Sequence, residues 1–382
     1  MKFWGITGTN GKTTTTWIFA AFVDACVGRK CGYVTTVEVY DGKDRYYTGY
    51  TTPPLKQLKE IYAKMEANGC TDCVMEVSSH AIHQRRTGDT PFSGGIFTNL
   101  TEDHLDYHKT MEEYFRVKLS FASWMPEGAP YVVCLDGGEG ERMFEAVSKF
   151  PVKAIPVSVR QKCFDLSGLQ LVGDYNKSNV LCAAALAEAA GVPAETIQAV
   201  IPTLKPRWGR LEYVECVSKA KVYVDFAHTP DGLEKVLSAV RAEMRRESNH
   251  QKIKKSDNSL WVVFGAGGDR DPMKRPLMGA ACAKLADRLV VTSDNPRSED
   301  PLKIIDAILV GVRSVNPNTQ TPPDPNTVHV EPDRRKAIEY ALREAGEDDV
   351  IVIAGKGHET TQEIQGVKYP FDDREVVRAF GG

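Results

Sequence analysis

The chain has 382 residues, roughly two and a half domains at about 150 residues each, so it is long enough to bury a sizeable core. Hydrophobic residues make up 42% and charged residues 26%, with Lys plus Arg at 48 against Asp plus Glu at 51. Those values exclude fibrous and wholly disordered classes and give no basic excess for nucleic acid. No apolar run approaches the ~18 residues of a membrane span, and the opening MKFWGITGTNGK lacks the apolar core of a signal peptide. Nine cysteines without repeated spacing read as reduced, mostly buried thiols of a cytoplasmic protein. Cys70 and Cys73, the sole C-x-x-C, have no second pair to complete a zinc site.

Short β-rich apolar runs alternate with helical stretches, which predicts an α/β fold with parallel sheets. Strands are expected at 3–7, 73–77, 95–98, 131–135, 222–226, 261–265, 288–292 and 350–354. Helices are expected at 13–23, 111–124 and 179–190, and surface loops at 245–258 and 316–326. KPRWGRLE at 205–212 interrupts the periodicity. It predicts a division into a P-loop parallel-sheet ATPase domain, 1–209, and a smaller Rossmann-like domain, 210–382.

The first chemical motif is GITGTNGKTTTT at 5–16. A strand entering a glycine turn, with Lys-Thr opening a helix, wraps backbone N–H groups around phosphates. Gly8, Thr9, Asn10, Gly11, Lys12, Thr13 and Thr14 form this loop; Lys12 would neutralise the β/γ-phosphates of ATP, and the Thr13 hydroxyl would ligate Mg²⁺. The strict pattern has glycine where this chain has Ile6, so the loop is a variant. In MEVSSHAIHQRR at 75–86, Glu76 lies inside an apolar strand and needs a cation, either Mg²⁺ or a nearby arginine. His80 and His83 read as ordinary loop histidines. In TNLTEDHLDYHKTMEEYFRVK at 98–118, His104 stands among acidic and histidine residues at a strand end. Lys118 follows on an amphipathic helix, where it is either a reactive amine with a lowered pKa or a snorkelling surface lysine.

In the second half, DFAHTPDGLE, FGAGGDRDPMKRP, SDNPR and AGKGHE each end a strand. Together their Arg, Lys, His and Asn side chains suggest a pocket for an anionic or zwitterionic ligand.

These strings, in this order, closely resemble the Mur ligases, the ATP-dependent amino-acid-adding enzymes of peptidoglycan synthesis. GTNGKTTT, TTP, MEVSSHA, TNLxxDHLDYH, AHTPDGLE, GGDRDxxKRP, SDNPR, AGKGHE and FDDRE carry the resemblance across nearly the whole chain. It implies ATP and Mg²⁺ as cofactors, with Thr13, Glu76, His104 and a carbamylated Lys118 at the metal and Lys12 and His228 among the catalytic positions. Thr51, Thr52, Ser78, Gln84 and Arg86 match contacts to UDP-N-acetylmuramoyl-L-Ala-D-Glu. Asn179, Arg210, Asp225 and His228 match positions around the nucleotide and the domain interface. Arg270, Asp294, Asn295, Pro296, Arg297, Gly355 and Glu359 match the amino-acid pocket. Asp-Asn-Pro-Arg is the form the family associates with meso-diaminopimelate rather than lysine.

The implied reaction passes through an acyl phosphate, with closure of the C-terminal domain bringing amine and acyl group together. The family normally carries a uridine-binding domain ahead of the phosphate loop. The expected grip on UDP is therefore either weak or supplied by a separate domain, another chain or an upstream segment. Two other readings stay open: a folylpolyglutamate- or cyanophycin-synthetase-like ligase with another acceptor, and a nucleotide-binding partner subunit without ligase activity.

Overall fold

The computed structural model describes residues 1–161, 163–251, 258–315 and 327–381. The chain divides into two compact units, Met1–Lys205 and Pro206–Gly382. The division falls a few residues before the 209/210 boundary drawn on the sequence, inside KPRWGRLE, between Lys205 and Pro206.

The first unit is built on eight strands: β1 (Lys2–Thr7), β2 (Cys31–Val34), β3 (Val39–Tyr40), β4 (Arg45–Tyr46), β5 (Asp72–Glu76), β6 (Phe92–Phe97), β7 (Pro130–Cys134) and β8 (Lys153–Val157). Their order is β4-β3-β2-β5-β1-β6-β7-β8, parallel from β2 through β8, with β3 and β4 antiparallel at one edge. A parallel sheet must be covered on both faces, which is why β1, β5 and β7 read as continuous apolar runs. The helix Lys12–Asp24 buries Trp17, Ile18, Phe19, Phe22 and Val23. Each such side chain contributes about 1.5–3 kcal/mol on full burial. That outweighs the poor helix propensity of the Thr13–Thr16 run.

The second unit has six strands in one sheet: β9 (Glu212–Tyr213), β10 (Lys221–Asp225), β11 (Leu260–Phe264), β12 (Arg288–Val291), β13 (Val328–Val330) and β14 (Val350–Ala354). The order is β13-β12-β11-β14-β10-β9, all parallel except β9. A separate hairpin, β15 (Thr361–Ile364) and β16 (Val367–Pro370), follows.

The eight expected strands are all present, β14 with the expected ends and the other seven with shifted ones. The short strands β2–β4, β8, β9, β13, β15 and β16 were not anticipated, being two to five residues long. The helix expected at 111–124 is an α-helix Met111–Ser120 that tightens into a 3₁₀ turn, Phe121–Trp124, and the one expected from 179 starts at Asp174. The surface loop expected from 245 is a correction: the helix Pro230–Gln251 continues through its first part. Arg245 and Arg246, the polar start of that stretch, are exposed on this helix rather than in a turn. The stretches 252–257 and 316–326 lie outside the described residues. His80 and His83, expected in a loop, sit on the short helix Ser79–His83.

Candidate active site

Strand order assembles the first cluster. β1 lies between β5 and β6, so its glycine loop is flanked by Glu76 at the end of β5 and by Thr98 and Asn99 after β6. Asn99 clamps the loop by accepting from Asn10 N–H at 2.9 Å and donating to Asn10 O at 3.0 Å, and the Thr98 hydroxyl donates to the same carbonyl at 2.6 Å. Gly11 caps the helix at φ 84°. A Cβ there would stand 2.4 Å from Asn179 Oδ1, so glycine is required both by conformation and by the close approach. Asn179 also accepts from the Thr15 hydroxyl at 3.3 Å. The helix has no acidic residue in its first turn and no side-chain cap, so its positive dipole end suits an anion.

The Thr13 hydroxyl donates to Glu76 Oε1 at 2.8 Å. Glu76 is 1% exposed and also accepts from Thr36 N–H at 2.8 Å and from the Thr36 hydroxyl at 3.1 Å. Among the described residues no lysine or arginine forms an ion pair with it, so the arginine alternative is not what the fold supplies. A buried carboxylate bonded only by hydroxyls and an amide, beside a threonine at a helix start, is a hard-oxygen donor set that fits a divalent cation.

Lys12 Nζ donates to Gly8 O at 3.0 Å and Thr9 O at 2.8 Å. Lys118 Nζ reaches the same Gly8 carbonyl at 2.8 Å and lies 4.7 Å from the Tyr114 ring centroid. Lys118 is 1% exposed, which excludes a snorkelling surface lysine. Burial, and next the Lys12 ammonium, push its pKa well below the ordinary lysine value. His104 stands in the left-handed region, φ 56°, with its ring 5.1 Å from His80. Desolvation lowers its pKa to about 4, against the opposing Asp103 carboxylate.

A rim of hydroxyls continues from Glu76. Thr36 Oγ1 and Thr51 Oγ1 lie 3.0 Å apart, and Thr52 Oγ1 donates to Glu76 O at 2.9 Å while accepting from Ser78 N–H at 3.1 Å. Arg86 lies beside them, donating to Gln84 Oε1 at 2.7 Å and to Thr52 O at 3.5 Å. Thr51, Thr52, Ser78, Gln84 and Arg86 are therefore one contiguous set. Thr36, which joins that set to Glu76, escaped the sequence reading because the four-residue β2 before it carries too little periodicity to register.

The second cluster lies in the Pro206–Gly382 unit. Asp225 ends β10, is buried, and accepts from Leu211 N–H at 2.6 Å and Ala227 N–H at 2.7 Å; burial raises its pKa, with Arg210 opposing. The Arg210 guanidinium lies 4.4 Å from the Phe226 ring, and His228 Nδ1 is 2.9 Å from Phe226 O. The Gly355 N–H donates to Asp225 O at 3.1 Å, linking this group to the loop after β14.

That loop and the loops after β11 and β12 carry the remaining residues. A Cβ on Gly355, φ 115°, would lie 2.5 Å from Asp294 Oδ2. Asn295 Nδ2 donates to Glu359 Oε2 at 2.8 Å, and Arg297 donates to Gly268 O at 2.6 Å with its Nε 3.6 Å from Glu363. A Cβ on Gly268, in the loop after β11, would lie 2.0 Å from Pro296 O, so glycine lets the loops after β11 and β12 meet closely; Arg270 is exposed in the first of them. Beneath, the fully buried Arg334 pairs with Asp373 at 2.7 Å and donates to Ser293 O just after β12 and to Ala354 O at the end of β14. Arg334 carries no motif signal in a polar helix, so nothing in the sequence pointed to it.

The fold and the first cluster define a phosphate-loop α/β protein with a second parallel-sheet unit. Residues 6–187 match the Mur ligase middle domain, and residues 209–357 match the Mur ligase, glutamate ligase domain. The UDP-N-acetylmuramoyl-L-alanyl-D-glutamate–2,6-diaminopimelate ligase of Cytophaga hutchinsonii is 38% identical over 395 residues, spanning 99% of this chain and 77% of that protein. The ligase of the same name from Aquifex aeolicus is 38% identical over 401 residues, with the same coverage. A solved structure of a ligase of that name superposes with TM-score 0.59 at 30% identity, covering 99% of this chain and 77% of that one. Mycobacterium tuberculosis folylpolyglutamate synthase complexed with ADP gives TM-score 0.63 at 18% identity over 93% of this chain and 87% of that one, a likeness of fold alone. The chain belongs to the Mur ligase family.

Proposed function

We propose that the chain catalyses ADP-forming addition of meso-diaminopimelate to UDP-N-acetylmuramoyl-L-Ala-D-Glu in peptidoglycan synthesis. The observation that carries the reading is the Thr13–Glu76 pair beneath the glycine loop, set in a chain 38% identical to ligases of that name.

The terminal carboxylate of the dipeptide attacks the γ-phosphorus of ATP, ADP leaves, and an acyl phosphate forms. The amine of diaminopimelate then attacks the acyl carbon, and inorganic phosphate leaves from the tetrahedral intermediate. Gly8–Thr14 cradle the phosphates through backbone N–H groups, and the Lys12 ammonium offsets charge on the transferring group. Thr13, Glu76, His104 and a Lys118 carbamate would hold Mg²⁺, which supplies further neutralisation of the phosphate oxygens. Lys118 is suited to carbamate formation because its lowered pKa exposes a neutral amine; CO₂ adds to it with loss of one proton.

Thr51, Thr52, Ser78, Gln84 and Arg86 would hold the muramoyl peptide. Asn179, which meets the glycine loop, would border the nucleotide. Arg270, Asp294, Asn295, Pro296, Arg297, Gly355 and Glu359 would form the amino-acid pocket, Arg297 offering a fork to the distal carboxylate and Glu359 an acceptor for the amine. The cysteines are all free, which supports a cytoplasmic setting, and no described helix is long and apolar enough to cross a membrane.

Phosphate release from ATP and Mg²⁺ tests the reading, with the UDP-muramoyl dipeptide present and meso-diaminopimelate added or withheld. Release that requires both is expected. Release supported equally by lysine, or none with either, would overturn the assigned acceptor.

A further inference from the structure

Lys356 belongs to no role assigned above, yet it is 0% exposed in the loop that carries Gly355 and Glu359. Its Nζ donates to Glu359 Oε2 at 2.9 Å, to Asn295 Oδ1 at 3.2 Å and to Thr361 O at 2.7 Å. Those three bonds use all three donors of an ammonium, so Lys356 has none left for a ligand and acts through its partners. Asn295 Oδ1 also accepts Glu363 N–H at 2.9 Å, which fixes the amide so that Nδ2 faces Glu359 Oε2 at 2.8 Å. Both side-chain bonds to Glu359 fall on Oε2, and its side chain is 34% exposed. Lys356 therefore holds two proposed pocket residues in place and puts a desolvated positive charge directly against one of them.

We propose that Lys356 is a positioning residue that sets the charge balance of the amino-acid pocket, favouring a ligand terminus with both ammonium and carboxylate over one with ammonium alone. The inference rests on the pocket reading above. A carboxylate unopposed in a partly dry site attracts any amine and repels an adjacent ligand carboxylate. With the Lys356 ammonium at 2.9 Å, Glu359 still accepts a hydrogen bond while its field on a neighbouring carboxylate is largely cancelled. Arg334 cannot substitute for this charge, since Asp373 already matches it at 2.7 Å. Removing Lys356 makes the pocket more negative by one charge. That change favours lysine, net positive, relative to diaminopimelate, net neutral with a zwitterionic distal end.

The test uses the full chain with saturating ATP, Mg²⁺ and UDP-muramoyl dipeptide, measuring kcat/KM for meso-diaminopimelate and for L-lysine. Lys356→Met is expected to lower the diaminopimelate-to-lysine ratio at least about tenfold, while KM for ATP stays within about twofold. Lys356→Arg, which keeps the charge, should hold the ratio near that of the unaltered chain. If both amino acids lose efficiency together in Lys356→Met, the residue is merely structural and the proposal is overturned. Should Lys356→Met not fold, Lys356→Gln reads the same ratio with a neutral donor in place. Failure of the unaltered chain to use diaminopimelate would instead overturn the pocket reading, an outcome separable because no variant is involved.

Discussion

The Thr13 hydroxyl meets Glu76 Oε1 at 2.8 Å across 63 positions of sequence, joining the start of the first helix to the end of a neighbouring strand. The two residues meet because β1 and β5 are adjacent parallel strands whose C-terminal ends open on the same side. Glu76→Gln keeps the shape but removes the charge. MgADP affinity, measured by titration calorimetry, should fall about tenfold to a hundredfold, the scale of one lost charge-assisted partner. Unchanged affinity would show that Glu76 serves only Thr36.

Lys118→Ala should abolish ligation, and ligation by the unaltered chain stripped of CO₂ should recover on adding bicarbonate. The amine lies buried against Gly8 O at 2.8 Å, so the variant also removes one of that carbonyl's two lysine donors, leaving Lys12 at 3.0 Å. Full activity of the variant without bicarbonate would falsify the carbamate.

Gly11 and Gly28 both adopt positive φ, 84° and 78°, but a Cβ at Gly11 strikes Asn179 while one at Gly28 meets nothing within 4 Å. Gly28→Ala should cost about 1–2 kcal/mol of conformational strain and leave nucleotide binding intact. Gly11→Ala should weaken ATP binding at least about tenfold by pushing the loop off Asn179. Equal nucleotide affinity in the two variants would dissociate the loop contact from phosphate binding.

Arg334 and Asp373 are each 0% exposed and form a bidentate pair. Removing one partner of a buried pair strands the other, so Arg334→Met should destabilise the protein by about 3–5 kcal/mol. Arg334→Met with Asp373→Asn should recover part of the loss, since no buried charge is then unmatched. Thermal unfolding followed by circular dichroism reads both, and strict additivity of the two single variants would count against the pairing.

His358 lies 4.8 Å from the Phe226 ring, and burial first, then Arg210, lowers its pKa to about 3. Between that value and the ordinary imidazole value near ~6.5, the unfolded chain binds a proton that the folded chain refuses. Stability contributed by keeping His358 neutral is therefore full above ~6.5 and falls as pH drops toward 3. His358→Phe should flatten the acid side of the stability profile between pH ~6 and ~4. A profile parallel to that of the unaltered chain would remove His358 from the explanation.

Local chemistry dictated much of this protein before any fold was known. The glycine turn with Lys12 and Thr13, the apolar strand around Glu76 and the strand-ending SDNPR and AGKGHE strings are written in short contiguous runs, because loop conformation and side-chain type act over a few residues. Periodicity likewise revealed the longer strands of both sheets, whose two covered faces demand unbroken apolar runs. Four-residue β2 and its neighbours carry too few residues for a period, so Thr36 stayed hidden beside Glu76.

What no local pattern contains is partnership. Lys118 read as a surface residue on helix periodicity alone; only the packing of its helix against the glycine loop brings it to the Gly8 carbonyl and out of water. Lys356, Arg334 and the orientation of the Asn295 amide depend in the same way on strand order in the second sheet, which gathers the ends of β12 and β14 from distant stretches of chain. Hydrogen bonds and desolvation are properties of neighbours in space, and the sequence specifies residue types while tertiary structure decides which charges face each other without water.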